Sequence, residues 1–284
     1  MDNTKNDITI LVSSCDLYED AWEPFFRLLK IQWPECPYKI VLNTEVKEYR
    51  CDFLNVRTFK GGKDTPWSKR LKNCLKTVDT DYVLFFLEDQ FLREPVNTEW
   101  WDKTAEYIRN NPNVGVIFPR HTGKQTQNID EDFFPRSKVT ENMQIVGMAA
   151  LYNKNYFIKL LRDHESAWEF EQYASIRCKK YPEEVLQYNA RCPAIFVYDD
   201  KIEKGYGITQ RKWLPGNKAL FDKYGIKVNF DRLGFLDTTS FKNNGREAAP
   251  DKNTFIEHLY GAKKKITGIP AKIKKYIRKR KSLK

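Results

Sequence analysis

The chain has 284 residues, of which 41% are hydrophobic, 31% charged and 14% aromatic, with a formal net charge of +11. That balance suits one large domain or two small ones and excludes an intrinsically disordered chain. The positive excess is local: residues 263–284 hold eleven Lys and Arg and no acid, so residues 1–262 carry 38 charges of each sign. A nucleic-acid enzyme spreads a basic groove over its folded part, so no nucleic-acid partner is expected, and the basic stretch reads as an electrostatic anchor on a neutral body.

Taken in chain order, the run ITILVSS at 8–14 predicts a buried strand that ends on the small polar residues Ser13 and Ser14. Trp22, Phe25, Phe26, Leu28, Leu29 and Trp33 then fall at helical spacing, up to a stop at Pro34. A second strand is expected over 38–42, ending at Asn43-Thr44, and a third over 53–59, broken by Gly61-Gly62. A helix follows over 65–78 with Pro66 in its first turn. Residues 82–87 form the most hydrophobic strand, and Glu88-Asp89 comes immediately after it. Beyond lie a helix over 98–110, a strand over 114–118, a polar loop over 121–142 and a strand over 143–152. Helices over 155–161 and 165–180, a strand over 195–198 and a helix over 217–224 complete the body.

This alternation with short connections predicts an α/β fold, a mostly parallel sheet with helices on both faces. It also predicts one domain over 1–262 and a basic helical tail over 263–284. Parallel sheets of this kind collect ligands at the carboxyl ends of their strands. Ser13, Ser14, Asp16, Asn43, Thr44, Glu88 and Asp89 all fall at such ends.

Two adjacent acids at the end of a buried strand repel each other unless something cationic or solvating lies between them. Glu88 and Asp89 are therefore either a solvated turn or a site for Mg²⁺ or Mn²⁺, which take one or two carboxylates and complete their shell with substrate phosphates. Arg70, and Lys69 beside it, sit in the helix after Gly61-Gly62, where a cation could face a pyrophosphate or simply lie on solvated helix surface. Glu165, Glu169 and Glu171 flank Trp168 within seven residues. If the segment is helical throughout, Glu165 and Glu169 share a face and Glu171 points elsewhere. Trp168 beside Glu169 would raise its proton affinity and suit it to act as a base; the other reading is an acidic first turn that complements the helix dipole.

Several classes are disfavoured. No G-x-G-x-x-G, G-x-x-x-x-G-K-[ST] or G-x-S-x-G occurs, which argues against a dinucleotide oxidoreductase, a P-loop ATPase and a nucleophile-elbow hydrolase. The six cysteines form no C-x-x-C pair and read as free thiols of a reducing compartment. His121, His164 and His258 are isolated from one another. No apolar run approaches the roughly 20 residues of a membrane span, and the first residues lack the apolar core of a secretory signal. Ile266, Ile269, Ile273, Tyr276 and Ile277 recur at near-helical spacing among the tail's cations, a pattern suited to lie on an anionic membrane surface; the other readings are a disordered solubilising tail and an RNA-binding tail. The expected location is cytoplasmic, peripheral on the inner face of the membrane.

The stretches ITILVSSCDLYEDAWEPFFRLL, TPWSKRLKNCLKTVDTDYVLFFLEDQF and AALYNKNYFIKLLRDHESAWEFE, in that order, resemble bacterial GT-A glycosyltransferases of capsule and lipooligosaccharide biosynthesis; the later KIEKGYGITQRKWLPGNKALFDKYGI is similar in style. The resemblance implies a nucleotide-sugar donor at the carboxyl edge and a glycan or lipid-linked glycan acceptor. It also implies Mn²⁺ or Mg²⁺ at the place of a D-x-D motif, held chiefly by Asp89. Here that motif reads Glu88-Asp89-Gln90, without an acid at its third position. Ser13, Ser14, Asp16, Asn43, Thr44, Arg70 and Glu88 are then the expected donor-binding residues. One of Glu165, Glu169 and Glu171 is the expected base, Glu169 first, in an inverting displacement. Two rivals share these features: a sugar-nucleotide nucleotidyltransferase, which usually carries a glycine-rich basic loop where this chain reads SSCDLYED, and a non-catalytic nucleotide- or glycan-binding protein.

Overall fold

In the first strand, β1 (Ile8–Ser13), all six side chains are buried. A strand buried on both sides needs a layer on each face, and the alternation assigns them. Ile8, Ile10 and Val12 face one apolar cluster and Leu11 faces the other. The computed structural model describes residues 7–120, 145, 147–188, 192–198 and 206–237. The expected loop over 121–142, His121, His258 and the tail over 263–284 lie outside the described residues.

After β1, a 3₁₀ turn (Asp16–Ala21) leads into α1 (Trp22–Gln32). The elements β2 (Lys39–Thr44), β3 (Val56–Lys60), α2 (Trp67–Lys76), β4 (Tyr82–Leu87), α3 (Thr98–Asn110) and β5 (Val114–Phe118) follow. Then come β6 (Ala150–Asn153), α4 (Lys154–Leu160), α5 (Ala167–Arg177), β7 (Glu184–Gln187), the short strands β8 (Ile208–Thr209) and β9 (Lys212–Trp213), and α6 (Gly216–Lys223). The main sheet has the order β3-β2-β1-β4-β6-β5-β7. β6 runs antiparallel to both its neighbours, and the remaining strands are parallel. Side chains of α1, α3 and α6 pack in one core and those of α2, α4 and α5 in the other, giving a three-layer α/β/α body. The expected α/β architecture is the observed one. Among the described residues no helix is long and apolar enough to cross a membrane.

Four local expectations need correction. The strand expected over 143–152 starts only at Ala150 within the described residues, and it opposes the sheet direction. The stretch 195–198 forms no strand: Ile195, Phe196 and Tyr198 are buried in the core as irregular chain, a packing that periodicity alone does not distinguish from a strand. The strand at the edge begins at Val56 rather than 53. The helix expected over 165–180 begins at Ala167, because Ser166 caps it: its hydroxyl accepts from the Glu169 N–H, and the Glu169 carboxylate accepts from the Ser166 N–H.

Candidate functional site at the carboxyl edge

The parallel strands deliver β1, β2 and β4 to one edge, and the residues just past them meet there. Ser13 and Ser14 lie on opposite faces: Ser13 Oγ accepts from Trp67 Nε1 of α2 at 3.0 Å, and Ser14 Oγ from Trp22 Nε1 of α1 at 2.7 Å. Both hydroxyls thus fasten a helix to the end of β1. Asp16 joins the two loops beyond β1 and β2, its carboxylate accepting from the N–H groups of Glu45, Val46 and Lys47. Thr44 donates to the Lys47 carbonyl at 2.7 Å and closes the same loop. Asn43, at the end of β2, is fully buried, and neither its amide nitrogen nor its amide oxygen has a partner. A buried amide left unpaired costs free energy, and Asn43 gives the fold no side-chain hydrogen bond in return.

Arg70 enters from α2 across Gly61. A Cβ at Gly61 would lie 2.1 Å from Arg70 Cγ, so only glycine leaves room for the arginine stem. The guanidinium donates to the Ser14 carbonyl at 2.8 Å and lies 3.5 Å from Glu45, while its Nε is buried without a partner. Arg70 is therefore a buried cation of the edge, not solvated helix surface.

Glu88 and Asp89 are 7% and 8% exposed. Burial first, and then the charge of Asp89, push the Glu88 carboxyl well above its usual range, with Arg70 pulling the other way. Burial raises Asp89 to about 7, against the hydrogen bond its carboxylate accepts from the Ile208 N–H. Among the described residues, no cation is bonded to either acid. Cys15, beside them, is raised to about 12 by burial and by Glu88.

Gln90, third in the motif, is fully buried and has a structural task. Its Oε1 accepts from the Leu87 N–H at 3.0 Å and its Nε2 donates to the Gly147 carbonyl at 2.8 Å. The Gly147 N–H in turn donates to the Glu171 carboxylate. This relay places Glu171 of α5 beside the end of β4. Burial raises the Glu171 carboxyl, and the Gly147 N–H opposes that rise.

The three acids of the 165–171 segment thus have three fates. Glu165 and Glu169 share no helix face, since Glu165 precedes the helix. Glu165 is fully buried in a two-point ion pair with Arg177, at 2.6 and 2.7 Å. Glu169 closes the capping box. Glu171, the one expected to point elsewhere, is joined to the edge.

Sequence reasoning missed the hairpin β8–β9. Gly207 donates to the Asp89 carbonyl at 2.8 Å, and a Cβ there would lie 2.0 Å from the Phe91 ring. The turn residues Gln210 and Arg211 both have left-handed backbones, with φ of 51° and 61°. Such turns usually announce themselves by Asn or Gly, and this one carries neither. The surviving signal was Gly207 itself.

The donor set for a divalent cation is Glu88 and Asp89, with one Asp89 oxygen already accepting from Ile208. Among the described residues, no three His, Cys, Asp or Glu side chains gather as ligands. Two carboxylates fit a Mg²⁺ or Mn²⁺ site that draws its other ligands from substrate phosphate and water.

No family model and no curated protein matches the chain. Solved structures do match it. A fragment of the glycosyltransferase TarS of S. aureus is 14% identical over 66% of this chain and 59% of that one, with a TM-score of 0.44. The same fragment is known with UDP and with UDP-GlcNAc. A cytidylyltransferase of Leptospira borgpetersenii is 15% identical over 70% of this chain and 83% of that one, with a TM-score of 0.43. An active-site mutant of the glycosyltransferase LgtC is 12% identical over 94% and 99%, with a TM-score of 0.39. At this level the likeness concerns the fold alone. The match spans about 59% of the length of the TarS fragment.

Proposed function

We propose that the chain is a glycosyltransferase that moves a sugar from a nucleotide-sugar to a hydroxyl of a glycan or glycolipid acceptor in bacterial surface polysaccharide synthesis. The observation that carries the reading is the buried acid pair Glu88-Asp89, with no bonded cation among the described residues, at a parallel-sheet edge that also holds Arg70 and the unpaired amide of Asn43. Asn43 and Arg70 bind the donor's nucleotide half, and Asp16, Thr44, Ser13 and Ser14 hold the surrounding loops and helices in shape. Mg²⁺ or Mn²⁺, when held by Asp89 and Glu88, supplies Lewis-acid neutralisation of charge on the departing diphosphate.

Glu171 takes the base role in place of Glu169. Its carboxylate accepts the proton of the acceptor hydroxyl as that oxygen bonds to the anomeric carbon. The bond from that carbon to the diphosphate oxygen breaks, and the nucleoside diphosphate leaves. A single displacement of this kind inverts the anomeric centre. Burial raises the proton affinity of Glu171, the direction that favours taking a proton from the acceptor hydroxyl.

The test is a donor screen of the full chain with common nucleotide-sugars, with and without Mn²⁺. Slow release of nucleoside diphosphate supports the transferase. Pyrophosphate release from a nucleoside triphosphate and a sugar phosphate would indicate a nucleotidyltransferase. Glycan or nucleotide binding with neither reaction would indicate a binding protein.

The proposed site of action is the inner membrane surface, reached through residues 263–284. Deletion of these residues is expected to abolish sedimentation with anionic vesicles, and added salt to weaken it in the full chain. Equal sedimentation of both forms refutes the anchor.

A further inference from the structure

Arg211 occupies a conformation that a residue with a Cβ rarely adopts, one step after another such residue. Two consecutive left-handed positions without glycine store strain, and strain of this kind persists where the surroundings over-determine it. Here the surroundings are specific. The hairpin is bonded to Asp89 at two points, through the Gly207 and Ile208 N–H groups. It is tied back by the Leu214 N–H and by Asn217 Nδ2, both to the Gly207 carbonyl. Its far strand is fixed by the Trp213 N–H to the Gly234 carbonyl. The start of the hairpin is thereby fixed to Asp89, and its turn follows two residues on.

The side chain at that turn is not used by the fold. Arg211 Nη2 is buried and has no hydrogen-bond partner, and the ion pairs among the described residues do not include it. Its charge is felt by Tyr18 of the 3₁₀ turn. Burial raises the Tyr18 phenol, as do Glu88 and Asp89, and Arg211 lowers it. Tyr18 therefore lies within the field of both the acids and the arginine, which sets Arg211 on the same edge as Glu88 and Asp89. A guanidinium there presents planar donors suited to phosphate oxygens.

We infer that Arg211 binds the diphosphate of the donor, with the β8–β9 hairpin serving as its rigid mount on Asp89. This rests on the proposed function and adds to it a diphosphate contact from outside the strand ends. It also gives Asp89 a second task, as the anchor of the mount.

Glycine at 211 separates the fold from the function. Arg211→Gly removes the guanidinium and relieves the left-handed backbone, so the protein should unfold at a higher temperature than wild type while losing ligand. The full chain is titrated calorimetrically with UDP, GDP, CDP, ADP and dTDP, and the tightest of these is compared with its bare nucleoside. Arg211→Gly and Arg211→Met are each expected to weaken the diphosphate about tenfold or more and to leave the nucleoside unchanged. Arg211→Lys should fall between these variants and wild type. Unchanged diphosphate affinity in Arg211→Gly overturns the inference, as does an equal loss for diphosphate and nucleoside, which would make the hairpin a structural wall. If wild type binds none of the five diphosphates, the proposed function falls first.

Discussion

The molecule buries acids in two places and treats them in opposite ways. Below the start of α5, Glu165 meets Arg177 through two hydrogen bonds, and the same guanidinium also donates to the Leu160 carbonyl. At the carboxyl edge, Glu88 and Asp89 lie side by side with no bonded cation among the described residues, and their proton affinity rises. The first arrangement is complete within the chain. The second is complete only with a proton, a cation or a cationic face of a ligand complex. A buried charge becomes evidence for a site when its partner is missing, and evidence for a scaffold when the partner is present.

The largest effect expected from this contrast is at the completed pair. Arg177→Met leaves Glu165 buried and uncompensated, which should cost about 3–5 kcal/mol of stability. Urea unfolding measures it, and a loss below about 1 kcal/mol would erase the distinction between the two places. Next is the chemistry at the other place. Glu171→Gln should lower kcat about a hundredfold, with donor KM and unfolding midpoint little changed. Full kcat in that variant moves the base elsewhere.

A smaller effect separates the two by pH. Glu88 has its folded value above the usual 4.5, so the folded state holds a proton that the unfolded chain has released. The stability it contributes is present below that value and is lost as pH rises. Asp89 acts in the same sense between 3.8 and about 7. Without nucleotide or metal, Glu88→Gln should therefore gain thermal stability over wild type as pH climbs from 5 to 8. A gap that is flat or narrows with pH contradicts the unpaired state of the acids. The smallest effect is at the cap: Glu169→Ala should cost about 1 kcal/mol of stability and leave kcat alone.

The sequence is legible where chemistry and chain direction coincide. Ser13, Asn43 and Glu88 stand at strand ends because an apolar run stops there, and the run is visible. The pairing of Glu165 with Arg177 was not legible, since it depends on a helix starting two residues later than charge spacing suggests. The position of Glu171 was not legible either, because it is fixed through Gln90 and Gly147, from two distant segments. The direction of β6 is equally hidden, because Leu151 and Tyr152 fit a central strand of either sense. Arg211 was missed because its turn lacks the residues that mark such turns, and its role depends on a bond to Asp89 more than a hundred positions away.

Because β6 opposes its neighbours, the chain leaves the sheet at Phe118 and rejoins it at Ala150 on the same side, close to Glu88, Asp89 and Glu171. The ladder of β6 is set by residues 150–153 alone, so the number of residues in the excursion between those two points is decoupled from strand register. Lengthening such a stretch twofold adds only about 0.6 kcal/mol of closure entropy. Insertions and deletions between those two points can therefore change the length of the chain there without moving the strand frame, as recognition loops vary in length on the immunoglobulin sandwich.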